Sequence, residues 1–287
     1  MILFSLGHGY SARALAALLI PMGWEVIGTT RSTDKAADLA QQGVMPRIFP
    51  GDDLGADLAR ATHILISAGP GTDGDPVLAD LHDQIAAVAS QKSWVGYLST
   101  TGVYGDHQGG WVTEDTPLTP STKRGLARVK AEADWQSLAA QTGMPLHIFR
   151  LAGIYGPGRG PFSKVRNGTA RRIIKKNQLF SRIHVEDIAQ ILLASINQPN
   201  PGAIYNVCDN NAAPPEDVIA HAAALLGLPV PPAVGFENAD MSPMARSFYA
   251  ESKRVDNTRI RTELGVTLKY PDYPAGLAAL LAAEDPA

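Results

Sequence analysis

Residues 2–12 read ILFSLGHGYSA, a short apolar run followed by the pattern G-x-G-x-x-A. Such a run, ended by glycine, predicts a buried β-strand that leads directly into a helix. Gly7 permits a tight turn, Gly9 lets the backbone approach a pyrophosphate at the helix N-terminus, and Ala12 allows close contact between helix and strand. The stretch therefore predicts dinucleotide binding, although a glycine-rich turn without a ligand is an alternative. The residues of this predicted site are Gly7, Gly9, Tyr10, Ser11 and Ala12.

The same alternation continues along the chain, where short apolar runs alternate with amphipathic stretches of helical length. This alternation is typical of a parallel α/β sheet. The predicted strands are 2–6, 25–29, 47–49, 63–67, 94–99, 146–150 and 204–207, and the predicted helices between them are 12–22, 34–42, 76–90 and 123–142. We therefore expect one parallel sheet flanked by helices.

The composition changes after residue 155, where a Gly/Pro-rich loop leads into a basic stretch and then into Pro-rich segments. We place a dinucleotide-binding domain at residues 1–155 and a smaller substrate-binding domain at residues 156–287. Residues 182–208 contain a predicted helix and strand, and we expect this segment to return to the main sheet. A last helix is predicted over residues 275–283.

Composition and charge narrow the function classes. The 287 residues are 45% hydrophobic and 18% charged, as in an ordinary globular protein. A formal net charge of −3 gives no reason to expect nucleic acid or an anionic membrane surface as a partner. The first apolar run has no basic segment before it, and no stretch reaches the roughly 20 apolar residues of a membrane span. We expect neither a signal peptide nor a membrane anchor.

The cysteine content bears on disulfides, metal sites and the cellular compartment. Cys208 is the single cysteine, so an intramolecular disulfide is excluded and a cysteine-based metal site is not expected. The His, Cys and carboxylate residues show no spacing typical of metal ligands, and we predict no metal site. These features fit the reducing cytoplasm, where we expect the protein to act on a small-molecule substrate.

The residues after the second predicted strand indicate the cofactor. A site for NAD usually has an acidic residue there to bind the ribose 2′-hydroxyl, but in this chain Arg31 and Ser32 follow the strand. A guanidinium binds a 2′-phosphate through charge-assisted hydrogen bonds, so we expect NADP in preference to NAD; a solvated loop arginine is the alternative. Ser67 and Ala68, at the end of the fourth strand, leave room beneath a cofactor, although a simple turn explains them as well.

Three further segments carry a family resemblance. They are residues 98–105 (LSTTGVYG), 150–158 (RLAGIYGPG) and 182–188 (RIHVEDI). Together with the glycine turn, and in this order up to about residue 208, they resemble the extended and atypical branches of the short-chain dehydrogenase/reductase superfamily, the NAD-dependent epimerase/dehydratase group. The resemblance implies a Rossmann-type doubly wound parallel sheet, a nicotinamide cofactor, and a cleft between the sheet and a smaller C-terminal substrate domain.

The resemblance also implies catalytic roles. In such enzymes a Ser or Thr four residues before the Tyr of the V-Y-G segment binds the reacting oxygen, and in this chain that residue is Thr100. Lys130 would hold the nicotinamide ribose and lower the pKa of a Tyr one helical turn before it. That position is occupied by Leu126, which has no proton to give or take. Because a positioned acid or base is worth about 10² to 10⁴ in rate, carbonyl reduction then needs another group.

Three residues could replace the missing tyrosine, and each has a structural alternative. Tyr104 could transfer the proton or pack beneath the cofactor loop. Tyr155 could face the cleft or only form a wall of its pocket. His184, as an imidazole of unperturbed pKa about 6.5, could contact the substrate or cap the adjoining helix.

The leading hypothesis is an NADP-dependent oxidoreductase or epimerase that moves hydride to or from a carbon bearing a hydroxyl or carbonyl group, for example in a nucleotide sugar. The alternative is a non-catalytic NADP-binding sensor or regulatory protein, which Leu126 favours. The basic residues of 164–176 either bind an anionic substrate or form a solvated loop. The predicted helices 76–90 and 123–142 offer a surface for a homodimer.

Replacement of Arg31 tests the cofactor prediction. If its guanidinium binds the 2′-phosphate, NADPH binds the wild type more tightly than NADH does, and Arg31→Ala weakens NADPH binding by about tenfold or more without changing NADH binding. Fluorescence titration with each nucleotide measures both affinities. Equal NADPH affinity in the two proteins would make Arg31 a solvated loop residue.

Overall fold

A computed structural model of the chain describes residues 1–284, which form thirteen strands and eleven α-helices. The strands are β1 (Ile2–Leu6), β2 (Glu25–Thr30), β3 (Met45–Ile48), β4 (His63–Ile66), β5 (Trp94–Thr100), β6 (Trp111–Val112), β7 (Leu146–Leu151), β8 (Gly153–Tyr155), β9 (Arg172–Ile174), β10 (Arg182–His184), β11 (Ile204–Val207), β12 (Ala233–Gly235) and β13 (Arg254–Val255). The helices are α1 (Tyr10–Leu19), α2 (Thr33–Gln41), α3 (Gly55–Arg60), α4 (Pro76–Val88), α5 (Lys123–Thr142), α6 (Phe162–Arg166), α7 (Val185–Asn197), α8 (Pro215–Leu225), α9 (Pro243–Phe248), α10 (Thr258–Thr262) and α11 (Tyr273–Glu284).

Seven of these strands form the central sheet, in the order β11-β7-β5-β4-β1-β2-β3, and every neighbouring pair is parallel. The chain first moves outward from β1 to β3 and then crosses to β4 and continues in the opposite direction. The strand order therefore reverses between β1 and β4, and doubly wound sheets bind ligands at the carboxyl ends of the strands on either side of such a reversal. The predicted Rossmann-type α/β class is confirmed.

Helices cover both faces of this sheet because its central strands are apolar on both faces. Leu3 and Phe4 are adjacent in β1 and, by the alternation of a strand, point into opposite apolar layers. The layer around Leu3 receives Leu15 of α1 and Ile188 of α7. The layer around Phe4 receives residues of α3 and α4 and the buried Trp135 of α5.

A third apolar cluster lies outside the central sheet. Val165 of α6, Ala222 of α8 and Leu277 of α11 form it together with Tyr155. The neighbouring short strands pair two by two, β8 with β10, β9 with β12 and β6 with β13. Within residues 156–284, β11 pairs with β7 and α7 packs on α1, so these two elements belong to the main sheet layers, whereas α6, α8 and α11 surround the third cluster.

Gly96 tests how tightly the sheet layers are packed. A Cβ at this position of β5 would overlap the buried ring of Trp94, so we expect Gly96→Ala to lower the free energy of unfolding by about 1–3 kcal/mol. Gly235 is the matched control, because its φ is −61° and no atom lies within 4 Å of an added Cβ. Urea denaturation of both variants measures the difference, and equal stabilities would contradict this packing.

Candidate functional site

The turn after β1 lies between the ends of β2 and β4. Gly7 has a φ of +85°, and a Cβ here would lie only 2.5 Å from the backbone nitrogen of Ala68. The amide of Gly7 donates to Oγ1 of Thr29 in β2 at 2.7 Å. On the other side, the amides of Ser67 and Ala68 both donate to the carbonyl of Leu6. The structure thus brings Ser67 and Ala68 beside the predicted glycine turn.

Helix α1 begins at this turn without a side-chain cap. Its N-cap is Gly9, whereas Ser32, Asp75 and Thr122 cap α2, α4 and α5 with their side chains. The orphan N–H groups at a helix N-terminus carry partial positive charge and favour an anion. The amides of residues 10–12 are therefore suited to bind a phosphate. Helix α1 also starts two residues before its predicted start, because Gly9 ends the turn.

The Gly/Pro-rich loop after β8 lies against the start of α1. The Tyr10 hydroxyl donates to the carbonyl of Pro157 at 3.0 Å, and the Arg159 guanidinium carbon is 5.5 Å from the centre of the Tyr10 ring. A Cβ at Gly156 would lie 2.5 Å from the Tyr10 hydroxyl, so only glycine permits this approach. Tyr10 consequently joins the dinucleotide-binding turn to the loop that begins the second half of the chain.

His8 is part of the turn and is not among the site residues predicted from the sequence. Its ring is buried, occupies the space left by the missing side chain of Gly28, and has no hydrogen-bond partner on either nitrogen among residues 1–284. Burial, together with the positive charge of Arg13, lowers the pKa of His8 to about 4, so the imidazole is neutral at pH 7. In the sequence, only its position between the two glycines of the G-x-G pattern indicated that His8 belongs to this turn.

Arg31 and Ser32 follow β2, next to the glycine turn. Arg31 is exposed and makes no hydrogen bond or ion pair within the described part of the chain. Oγ of Ser32 accepts a hydrogen bond from the Lys35 amide at 3.4 Å and caps α2. Because the Arg31 guanidinium is exposed, it is available to bind a 2′-phosphate. The role of Arg31 in NADP binding stays a prediction.

A buried polar network lies behind the ends of β5 and β7. Nη2 of Arg150 donates to Oε2 of Glu132 at 2.8 Å, and both side chains are almost fully buried. Nη1 of Arg150 donates to the Tyr104 hydroxyl at 2.9 Å, which itself donates to Oδ1 of Asn206 at 2.7 Å. The hydroxyl of Ser99, in β5, also donates to Glu132. The network joins β5, β7, β11 and α5.

Tyr104 and Tyr155 are both packed away from solvent. Tyr104 is 0% exposed, and burial raises the pKa of its phenol to about 12 against the opposing charge of Arg150. The Tyr155 hydroxyl donates to the Asp272 carbonyl at 3.3 Å, its ring packs against Gly276, and burial raises its pKa as well. Both hydroxyls are therefore engaged by protein groups, that of Tyr104 by Asn206 and Arg150 and that of Tyr155 by the Asp272 carbonyl.

His184 is buried at the start of α7 and acts there as a cap. Its Nδ1 accepts a hydrogen bond from the Glu186 amide at 3.2 Å, while its ring lies 4.0 Å from the Tyr270 ring, centre to centre. Burial lowers the pKa of His184, so the neutral ring carries its proton on Nε2. Nε2 has no partner among residues 1–284. The observed hydrogen bond from the Glu186 amide is that of a helix cap, which is the structural alternative given for His184 above.

Thr100 ends β5 at the carboxyl edge of the sheet. It is half-buried, and its Oγ1 accepts a hydrogen bond from the Gly102 amide at 3.2 Å. Its hydroxyl proton is free to be donated to another oxygen, because the amide uses only an acceptor site. Thr100 therefore remains a candidate for binding a substrate oxygen.

Lys130 does not lie at this edge. Its side chain is 68% exposed, and its Nζ pairs with Oδ2 of Asp134 at 2.6 Å, beside a surface depression that α4 also lines. Two residues earlier, Nη1 of Arg128 donates to the Leu98 carbonyl and to the Tyr97 hydroxyl, each at 2.9 Å. Nη2 of Arg128 would lie 3.2 Å from a Cβ at Gly69, just after the end of β4. Arg128, rather than Lys130, reaches the strand ends.

The face of α5 explains this difference. Residues four apart share a helix face, so Arg124, Arg128 and Glu132 lie in one row, and Glu132 is buried under β5. Leu126 and Lys130 are rotated by about 200° from Arg128 and are exposed. The residue one turn before Arg128 is thus Arg124.

Arg124 is exposed at the start of α5. Its guanidinium carbon is 5.7 Å from the centre of the Phe248 ring, in α9, and Phe248 is itself exposed. The face of α5 that points to the strand ends therefore carries two guanidinium groups and no tyrosine. A guanidinium stays protonated and has no acceptor site, so neither residue can act as a base.

Residues 1–284 contain neither a metal-ligand cluster nor a membrane-spanning helix. No group of three or more His, Cys, Asp or Glu residues in this range could hold a metal ion. Among the same residues, no helix combines the length and the apolar character that a membrane crossing requires.

Comparison with known proteins identifies the family. The model of the NAD dependent epimerase/dehydratase family matches residues 6–208. The chain belongs to this family. It is also 32% identical to protein YeeZ of Escherichia coli strain K12 over 278 residues, which are 93% of this chain and 95% of YeeZ.

Two solved structures are similar to this family member along their whole length. A functionally unknown conserved protein from Silicibacter pomeroyi DSS is 58% identical, with 99% of each chain covered and a TM-score of 0.93. The UDP-glucuronic acid 4-epimerase from Bacillus cereus, solved in complex with NAD, is 16% identical, with 97% of each chain covered and a TM-score of 0.79. At this low identity the second likeness shows the fold alone.

The buried pair of Glu132 and Arg150 gives a prediction for stability. Glu132→Leu leaves the Arg150 guanidinium buried without its counterion, and we expect a loss of about 3–5 kcal/mol of unfolding free energy. The double variant with Arg150→Met removes both charges and should lose clearly less than the sum of the two single changes. Urea denaturation of the wild type, the two single variants and the double variant completes this double-mutant cycle. Additive losses would show that the pair contributes no coupling energy.

Proposed function

We propose that this family member is an NAD(P)-dependent oxidoreductase or epimerase that acts on a carbon bearing a hydroxyl or carbonyl group, with NADP as the preferred cofactor. The observation that carries the proposal is the meeting of three features at one sheet edge. These are the uncapped start of α1, the hydroxyl of Thr100 and the guanidinium of Arg128. Family membership supports the same reaction class.

The residues of this edge fit a nicotinamide dinucleotide. The amides of residues 10–12 would hold its pyrophosphate, and Arg31 with Ser32 would hold the 2′-phosphate that distinguishes NADP. Arg128 would take the place that the family resemblance gave to Lys130 and donate to the nicotinamide ribose. When bound, the cofactor would supply or accept the hydride. The relative from Bacillus cereus was solved with NAD, and the preference for NADP rests on Arg31 alone.

The side chains at the edge are suited to stabilise negative charge on a substrate oxygen. Thr100 can donate its hydroxyl proton as a hydrogen bond, and the cationic guanidinium groups of Arg124 and Arg128 favour an oxyanion nearby. None of the three can remove a proton at pH 7. This set favours reduction of a carbonyl, in which the oxygen gains negative charge and the completing proton comes from solvent. In an epimerase reaction, the oxidation step would likewise have to release its hydroxyl proton to solvent.

A non-catalytic NADP-binding sensor or regulatory protein is the second candidate. The observation that favours it is Arg124 in the position one turn before Arg128, together with the burial of Tyr104 and Tyr155. A panel of aldehydes, ketones and sugar nucleotides, with NADPH oxidation followed by absorbance, separates the two candidates. Turnover of any member supports the enzyme, and tight NADPH binding without turnover across the panel supports the sensor.

The substrate class proposed for the enzyme is a small molecule of the nucleotide-sugar type. The basic residues of 164–176 lie in and around α6 and β9, within the part of the chain that we expect to bind the substrate.

A homodimer through α4 and α5 stays a prediction, and light scattering of the purified protein tests it.

Matched variants test whether Arg128, rather than Lys130, binds the nicotinamide ribose. Arg128→Met should weaken NADPH binding by about tenfold, because it removes charge-assisted hydrogen bonds to the ribose, whereas Lys130→Met should leave the affinity unchanged. Fluorescence titration of NADPH with both variants measures this. The opposite result, in which Lys130→Met weakens NADPH binding and Arg128→Met does not, would show that Lys130 binds the ribose. It would contradict the geometry described for α5.

A further inference from the structure

Helix α9 carries an exposed apolar face close to the start of α5. Met244 is 62% exposed and Phe248 is 55% exposed, and residues four apart share one face of a helix. The Phe248 ring lies opposite Arg124, with 5.7 Å between the ring centre and the guanidinium carbon. Two large apolar side chains are thus open to solvent beside a cation on the face of α5 that points to the strand ends.

The Arg124 guanidinium has no protein counterion in this place. It is exposed, and within residues 1–284 it makes no side-chain hydrogen bond and has no carboxylate oxygen within 4.0 Å. The acidic residue that follows α9, Glu251, is already paired with Nζ of Lys253 at 2.8 Å and accepts from the Ser121 hydroxyl at 3.0 Å. The donors of Arg124 therefore remain for a ligand that reaches this edge from solvent.

The segment that carries this apolar face is hydrogen-bonded only to its own neighbours. In the described structure, all hydrogen bonds of residues 239–248 stay within residues 236–250. The next residue, Tyr249, is anchored, because its ring contacts the Phe180 ring with 5.5 Å between centres and its carbonyl accepts from Nζ of Lys175. The apolar face of α9 can therefore adjust to a planar ligand without breaking a hydrogen bond to the central sheet.

We propose that Phe248 and Arg124 bind an aromatic carbonyl compound, with its ring against Phe248 and Met244 and its oxygen toward the guanidinium. This ligand class is additional to the nucleotide-sugar type, and only its assignment as a substrate rests on the proposed function. Phe248 then determines specificity at the sheet edge where Thr100 and Arg128 lie.

The chemistry of the pair selects a planar aromatic ligand. A phenylalanine ring stacks on other rings, and a guanidinium both stacks on aromatic faces and donates hydrogen bonds to oxygen. A saturated ring has no π-face to stack. The base of a nucleotide sugar is planar, but a ribose and two phosphates separate it from the sugar, whereas Arg124 lies only one helical turn, about 6 Å, from Arg128. The aromatic group of this ligand therefore lies next to its carbonyl carbon.

A matched pair of probes tests the proposal without the cofactor. 2-Naphthoate and decahydro-2-naphthoate have the same carbon skeleton and the same charge, but only the first is planar and aromatic. Their carboxylate stands in for the carbonyl oxygen of a substrate. We expect calorimetry to show at least about tenfold tighter binding of 2-naphthoate. Equal binding, tighter binding of the saturated probe, or no binding of either would overturn the proposal.

A competition experiment separates an aromatic carbonyl compound from a nucleobase. Uridine diphosphate, added to the complex with 2-naphthoate, should not displace the probe. Displacement by uridine diphosphate would assign the aromatic face to a nucleobase and overturn the proposed ligand class.

Variants of the two residues and one control complete the test. Phe248→Leu keeps an apolar side chain but removes the ring, and it should abolish the preference for 2-naphthoate. Arg124→Lys keeps the charge but removes the planar group, and it should reduce the preference. Met22→Ala is the control and should bind as the wild type does, because Met22 is 56% exposed and follows α1 at the opposite edge of the sheet. Undiminished preference in both Phe248→Leu and Arg124→Lys would refute the proposal.

NADPH titration of the same proteins separates this proposal from the proposed function. If NADPH binds the wild type and 2-naphthoate does not, the aromatic site is wrong and the cofactor assignment stands. If 2-naphthoate binds through Phe248 but NADPH does not bind the wild type, the aromatic site stands and the proposed function is wrong.

Discussion

The buried ion pair between Glu132 and Arg150 joins α5 to the carboxyl edge of the central sheet. Two charges removed from water are tolerated only if nearly all their hydrogen-bonding capacity is used, and here Ser99, Tyr104 and a backbone carbonyl complete the network. Because Glu132 is fixed beneath β5, the orientation of α5 about its own axis is fixed as well. Together with the buried ring of Trp135, this contact sets which side chains α5 presents to the strand ends.

That orientation decides which side chains of α5 reach the strand ends. It presents Arg128 to the ends of β4 and β5, with Arg124 one turn earlier, and leaves Lys130 in solvent. An edge with two permanent cations and a threonine hydroxyl differs from one with a tyrosine and a lysine, because it can stabilise an oxyanion but cannot shuttle a proton. The burial of Tyr104 follows from the same network, since its hydroxyl is a member of it.

The sequence predicted what depends on local pattern. The apolar runs were sufficient to predict the parallel sheet, and the glycine turn was sufficient to predict the tight turn between β1 and α1, because strand alternation and small residues such as Gly7 act over a few neighbours. The role of Lys130 required the rotation of α5, and no periodicity in its polar helix specifies which side faces the sheet. Short strands such as β6 and β13 were missed because each has two residues and pairs with a segment more than a hundred residues away.

The most direct test of the account is a crystal structure of the protein grown with NADPH. We predict that the pyrophosphate lies against the first amides of α1, the 2′-phosphate within hydrogen-bonding distance of Arg31, and the nicotinamide ribose hydroxyls against Arg128. A ribose bound by Lys130, or a nucleotide bound away from the ends of β1 and β4, would contradict it.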